Sequence, residues 1–78
     1  MSRMKQYAAD MEHFKLRAIE TAWITDPEES AQAFKDLLED CGNAASIYHK
    51  PASVTALFAY TVSETYAAEW MAQGKTTA

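Results

Sequence analysis

The feature that most constrains the fold is an almost uncharged segment, residues 51–72, near the end of the chain. Glu64 and Glu69 are its only charged residues. On a helix, at about 100° per residue, the segment has a bulky apolar face and, opposite it, a face of small side chains. Because a helix that is apolar nearly all round is typical of the middle of an assembly, we expect it at the centre of the fold. The bulky face comprises Val54, Leu57, Phe58, Thr61, Thr65 and Ala68, flanked by Val62 and Met71, and the small face comprises Ala56, Ala59, Ser63 and Ala67.

The composition predicts one small helical domain, residues 1–78. Of the 78 residues 49% are hydrophobic, and there are only two glycines and two prolines. This is too apolar for a disordered chain and favours helix over sheet. A domain this small buries only about 60% of its unfolded surface, so a second copy or a partner would strengthen its core. Residues 73–78 have no apolar period and are expected to form a frayed tail.

Apolar residues at spacings of three and four predict a first helix from Ser2 or Arg3 to Ile24. Leu16 and Trp23 lie beside this stripe, seven residues apart. They either widen a buried face that touches two neighbouring helices or form an exposed anchor for a partner, since Trp is enriched at binding hot spots. The stripe consists of Met4, Tyr7, Ala8, Met11, Phe14, Ala18, Ile19 and Ala22.

The pair Asp26-Pro27 predicts the start of a second helix. Asp26 can accept hydrogen bonds from the free N–H groups of the next turn, and Pro27 at the first helical position loses no hydrogen bond. Gly42 would fit a helix that ends at Cys41, but the apolar stripe continues beyond it. We favour a helix that continues to His49, with a kink at Gly42, because all three helices then have about 22 residues, or about 33 Å. The stripe is Phe34, Leu37, Leu38, Cys41, Ala45 and Tyr48.

Lys50-Pro51 must end the second helix, because the residue before proline is pushed out of the α region. The third helix then begins at Pro51, or at Val54 with Ser53 as its N-cap, and ends at Ala72. The sequence therefore predicts an all-α protein, a small antiparallel three-helix bundle. The small face of the third helix lets another helix approach closely. That helix is either a neighbour in the same chain or a symmetry mate in a homodimer, and we favour the homodimer.

The cysteine content and the first residues predict a cytoplasmic protein. One cysteine, Cys41, cannot form an intrachain disulfide, which fits a reducing compartment. Residues 1–12 contain four charged residues and no apolar run typical of a signal peptide. The uncharged run at residues 51–63 is too short to span a bilayer.

The net charge of −4 comes mainly from residues 26–40, which contain six acidic residues and one basic residue, Lys35. The Lys and Arg clusters that bind phosphates are missing from the sequence, so direct nucleic-acid binding is not expected. Most of the acids share the side opposite the apolar stripe. This side is either ordinary solvated surface or a site that steers the protein to a basic surface on a partner, such as a nucleic-acid-binding surface. We call it the acidic row: Glu28, Glu29, Asp36, Glu39 and Asp40.

Few side chains are arranged for chemistry, so we expect no enzymatic activity, no cofactor and no metal. Cys41 falls on the buried stripe, where a thiol usually acts as a small hydrophobe rather than as a nucleophile with His13 or His49. Asp10 and His13 have a spacing that can bind metals in helical bundles, but no second such pair exists. A metal- or ligand-binding bundle is the distant alternative.

The sequence thus favours a protein that acts by protein–protein interaction, as an inhibitor or modulator of a larger protein. The alternative is a homo-oligomeric structural or adaptor protein. In size and charge, without a shared motif, the chain is similar to the small acidic helical proteins with which phages and mobile elements block host enzymes, anti-CRISPR proteins among them. Bacterial antitoxins and immunity proteins share this build. We expect partner contacts from the acidic row and from Trp23, Leu16, Tyr60 and Trp70, and self-association through Ala56, Ala59, Ser63 and Ala67.

Overall fold

A computed structural model describes residues 3–74, and the side chains of residues 6–74. Within that range the chain forms three α-helices and no strand: α1 (Arg3–Ala22), α2 (Pro27–Ala45) and α3 (Pro51–Ala72). Each helix packs against the other two. Short connections at residues 23–26 and 46–50 make consecutive helices antiparallel. The prediction of an all-α three-helix bundle is confirmed. None of these helices combines the length and apolar character needed to cross a membrane.

α2 begins where it was predicted to begin, but it ends earlier than predicted. An Asp26 carboxylate oxygen accepts a hydrogen bond from the Glu29 N–H at 3.3 Å, so Asp26 is the N-cap. The helix passes through Gly42 without a break, but it ends at Ala45, and the prediction that it reaches His49 was wrong. The next residue, Ser46, explains the early end. Its N–H and its hydroxyl both donate to the Asn43 carbonyl, at 3.3 and 2.7 Å, and this tightens the last turn.

The end of α1 differs from the expectation, whereas α3 has its predicted bounds. α1 ends at Ala22 rather than at Ile24, because the N–H groups of Trp23 and Ile24 bond three residues back, as in a 3₁₀ turn. α3 begins at Pro51, with Lys50 as N-cap and no side-chain cap, so Ser53 does not start it. Ser2, the side chain of Met4 and tail residues 75–78 lie outside the described part of the chain.

Phe58 lies at the middle of the core, in contact with rings from α1 and from the segment after α2. Its ring centroid is 5.4 Å from Tyr7, 5.3 Å from Phe14 and 6.3 Å from Tyr48. The fully or nearly buried apolar side chains around it are few, and several are alanines, so the core is small. They are Phe14, Ala18, Ala22, Leu37, Cys41, Ala45, Phe58 and Val62.

The buried side of α3 covers only part of the bulky face described above. Phe58 and Val62 are its buried residues, whereas Leu57 is 51% exposed, Met71 is 69% exposed and Ala68 is also exposed. Within one chain α3 has only two neighbouring helices. One side of α3 is therefore left uncovered although its side chains are largely apolar.

Candidate functional site

Four members of the acidic row lie on the outer side of α2, exposed to solvent. They are opposite the buried residues Leu37 and Cys41, as the three- and four-residue spacing requires. Among the described residues the ion pairs are Lys15–Glu12 and Arg17–Asp40, so no cation of this part of the chain is paired with the four. The exposed side of α2 is therefore a surface of net negative charge, in which Lys35 is the one cation beside Glu28, Glu29, Asp36 and Glu39.

Asp40 differs from the rest of the acidic row. It is half-buried, and its carboxylate lies 2.7 Å from an Arg17 guanidinium nitrogen on α1. This ion pair joins two helices of the bundle. We therefore assign Asp40 to the packing of α1 against α2, and only the other four members remain available to a partner.

The exposed apolar residues expected to accompany the acidic row lie elsewhere. Leu16 is 58% exposed and Trp23 is 60% exposed, on or just after α1. The Trp23 indole N–H donates to a Glu69 carboxylate oxygen at 2.9 Å. This hydrogen bond holds the Trp23 ring against α3, where the end of α1 meets it. Tyr60 lies on the outer side of α3. Because the outer sides of three packed helices point in different directions, a single flat partner surface cannot contact all of these residues.

Trp70 is the one aromatic candidate that lies next to the acidic row. It is half-buried and lines an apolar groove of about 410 Å³ between the start of α2 and the end of α3. The α2 wall begins at Pro27, directly before Glu28, so the groove borders the charged surface. Of the other lining residues the sequence singled out only Ala67, and for self-association, because the groove forms only where two helices lie side by side. Its lining is Pro27, Ala31, Tyr66, Ala67, Trp70 and Met71.

The small face of α3 is mostly exposed. Ala56, Ser63 and Ala67 are exposed, and Ala59 is half-buried. Ala59 is partly covered within the chain itself. The other three residues remain open to contact by another helix.

Among the groups considered for chemistry, Cys41, Asp10 and His13 contact other side chains of the bundle, whereas His49 is exposed. Burial raises the pKa of the Cys41 thiol from its ordinary value of 9.0 to about 11, which keeps the thiol protonated at neutral pH. An Asp10 carboxylate oxygen accepts a hydrogen bond from the Tyr48 hydroxyl at 2.8 Å, and the His13 ring lies edge-on to Phe14. Within the described residues no cluster of three or more His, Cys, Asp or Glu side chains could hold a metal ion.

No protein-family model matches the chain, and neither a curated protein nor a solved structure matches it closely enough to indicate a relationship.

Proposed function

We propose that this protein acts by binding a larger protein, as an inhibitor or modulator, and that the exposed acidic row contacts a basic surface of that partner. The observation that carries the proposal is the net negative charge on one side of a single helix, where four exposed carboxylates, Glu28, Glu29, Asp36 and Glu39, form no ion pair with a described residue. Glu28 and Glu29 stabilise the first turn of α2 through the helix dipole, but like charges such as Asp36 and Glu39 at helical spacing weaken a helix slightly, so stability alone does not favour this second pair.

The chemistry of such a surface favours fast, salt-sensitive association. Negative potential steers the protein to a positively charged patch and raises the association rate constant, and the effect declines as salt screens the charges. A nucleic-acid-binding surface is the kind of basic patch that fits, because it already accepts regularly spaced negative charge. Covering that patch would block the partner's access to its nucleic acid, which is how an inhibitor of this kind would act.

The groove beside the acidic row adds an apolar contact to this surface. Trp70 and Tyr66 both line it, and their rings are stacked, with 5.7 Å between centroids. Aromatic residues at the edge of a charged surface are typical anchors in protein interfaces. An apolar side chain of the partner that enters the groove would fix the orientation that the charges alone leave open.

The test is affinity capture from the native cell with three tagged forms of the protein, followed by mass spectrometry. The parent is compared with an acidic-row variant, Asp36→Lys with Glu39→Lys, which leaves the cap residue Asp26 and the paired Asp40 unchanged. The matched control is Glu12→Lys with Glu20→Lys, which changes the net charge equally but on exposed positions of α1. We expect one stoichiometric partner with the parent and the control, and its loss with the acidic-row variant. Equal recovery with all three forms would refute the role of the acidic row.

A further inference from the structure

A heptad pattern runs along the outer side of α3, away from the core. Residues on this stripe follow one another at spacings of four, three, four, three and four, which places them on one line of the helix. All are exposed, and the largest, Tyr60, is 65% exposed. The pattern is that of a helix that packs along its length against one other helix. We call it the α3 seam: Ser53, Leu57, Tyr60, Glu64, Ala67 and Met71.

The α3 seam differs from the outer sides of the other two helices in its charge. α1 exposes Glu12 and Glu20, and α2 exposes Glu28, Asp36 and Glu39, whereas Glu64 is the single charged residue of the α3 seam. The core beneath it is small, and a chain of this size gains stability when another helix covers further apolar surface. Among the three outer sides, the α3 seam is thus the one suited to permanent burial.

Glu64 determines what can cover the α3 seam. A carboxylate that enters an apolar interface needs a hydrogen-bond donor. The Tyr60 hydroxyl, one turn earlier on the same line, is such a donor, and no hydrogen bond between either side chain and another described residue is formed within the chain. A second copy supplies the matching groups if Tyr60 of one molecule faces Glu64 of the other.

Only one arrangement of two seams satisfies this condition. A parallel pair would place Glu64 against Glu64 and bring two negative charges together. In an antiparallel pair with its two-fold axis at the level of Val62, each Tyr60 faces the Glu64 of the partner subunit. Sliding this pair by one heptad in one direction would set Glu64 against Ala67, which has no side-chain donor. Sliding it in the other direction would set Glu64 against Ser53, but the two seams would then overlap only from Ser53 to Glu64 and leave Ala67 and Met71 uncovered.

The same register matches large side chains with small ones. Leu57 then lies against Ala67 of the partner subunit, and Met71 lies against Ser53 of the partner subunit. Large-against-small pairs let two helices interdigitate at close distance. Charge and size therefore select the same register independently.

We propose that α3 pairs antiparallel with α3 of a second copy along the α3 seam, with two symmetric Tyr60–Glu64 hydrogen bonds beside the two-fold axis. This goes beyond the proposed function, because it uses the outer side of α3 and leaves the acidic row of α2 open. The two surfaces share Ala67 and Met71, so the pairing covers the α3 edge of the apolar groove and leaves its α2 wall open. The small-face residues Ala56 and Ser63 flank this seam, and Ala67 belongs to both.

Sedimentation equilibrium of the purified protein tests the pairing without any partner protein. We expect a monomer–dimer equilibrium for the parent, and a dissociation constant raised about tenfold or more by Tyr60→Phe, which removes only the two donors. Leu16→Ala, at an exposed position of α1, should leave the constant unchanged. A parent that stays monomeric up to about millimolar concentration, or a Tyr60→Phe variant that dimerises as well as the parent, would overturn the proposal.

Disulfide trapping tests the register. Leu57→Cys and Ala67→Cys are made in separate chains, both of which keep the buried native Cys41. The parent, oxidised in the same way, is the control for linking through Cys41. Residues that face each other across the pair come within disulfide distance, so oxidation of the two variants mixed should give a linked heterodimer. Each variant alone should stay unlinked, because the two introduced cysteines of its antiparallel pair then lie about 15 Å apart along the helix axis. Linking within a single variant would establish a parallel pair, and no linking in the mixture would place the interface elsewhere; either result overturns the register.

Discussion

The side-chain hydroxyls of Ser30 and Tyr66 lie 2.8 Å apart, where α2 meets α3. The Ser30 hydroxyl, which is fully buried, also donates to the Thr21 carbonyl of α1 at 2.8 Å. Because a serine hydroxyl has one proton, Tyr66 must be the donor to Ser30. This chain of hydrogen bonds connects all three helices and holds Tyr66 in place as a wall of the apolar groove.

Ser30→Ala should lower the free energy of unfolding by about 1–3 kcal/mol, because it leaves the Thr21 carbonyl and the Tyr66 hydroxyl without their partner. Tyr66→Phe removes one of the two bonds and keeps the ring stacked on Phe34, with centroids 4.4 Å apart, so it should cost only about 1 kcal/mol. Urea unfolding of both variants measures these values. A Ser30→Ala protein as stable as the parent would mean that water or a rearrangement replaces the network.

Phe58→Ala should lower the free energy of unfolding by about 3–5 kcal/mol, enough to unfold much of a domain this small. The reason is that Phe58 is fully buried and contacts three other rings. Leu16→Ala is the control, since it shortens an exposed side chain on a helix and should change stability by less than about 0.5 kcal/mol. Thermal unfolding followed by circular dichroism compares them, and similar melting temperatures would place Phe58 at the surface.

Much of the fold was predictable because its signals are local. Asp26-Pro27 marks a helix start through cap chemistry, and the stripe through Leu37 and Cys41 identifies the buried side of α2. The same stripe predicted the end of α2 wrongly. Tyr48 does pack beside Phe58, but it reaches the core from a turn rather than from a helix. The hydroxyl contacts of Ser46 that end α2 carry no periodic signal.

The orientation of α3 was not predictable, because a helix that is apolar on every side gives no direction to the core. Leu57 belongs to the bulky face of α3, together with Phe58, yet it is exposed whereas Phe58 is buried. The exposed charge of α2 was predictable from spacing alone, since Asp36 and Glu39 lie opposite Leu37 and Cys41 on the wheel. The groove around Trp70 was not, because its walls come from two helices that only the packed structure brings together.

The stability of the protein should decline at high pH through Cys41. Its pKa is raised to about 11 in the folded protein, chiefly by burial, with smaller opposing effects of Arg17 and Asp40. Between about pH 9 and 11 the unfolded chain therefore loses this proton while the folded chain keeps it. Stability conferred by the neutral buried thiol is present below pH 9 and is lost as the pH rises through 11.

The size of this effect follows from the shift of about two pKa units, which corresponds to a loss of the order of 2 kcal/mol. Cys41→Ala is the control, because it retains every other group that titrates in this range. Urea unfolding at pH 8 and at about pH 11 should therefore show a larger loss for the parent than for Cys41→Ala. Equal losses would show that burial of Cys41 does not contribute to the pH dependence.

The central claim is that the acidic row of α2 guides this protein to a basic surface, and the association rate constant with the captured partner tests it most directly. We expect the Asp36→Lys, Glu39→Lys variant to associate about tenfold or more slowly than the parent at low salt, with a smaller change in the dissociation rate constant. The parent's association rate constant should fall as the ionic strength rises from about 0.02 to 0.5 M. The Glu12→Lys, Glu20→Lys control should keep most of the parent's rate. Equal association rate constants for parent and acidic-row variant at low salt would contradict the claim.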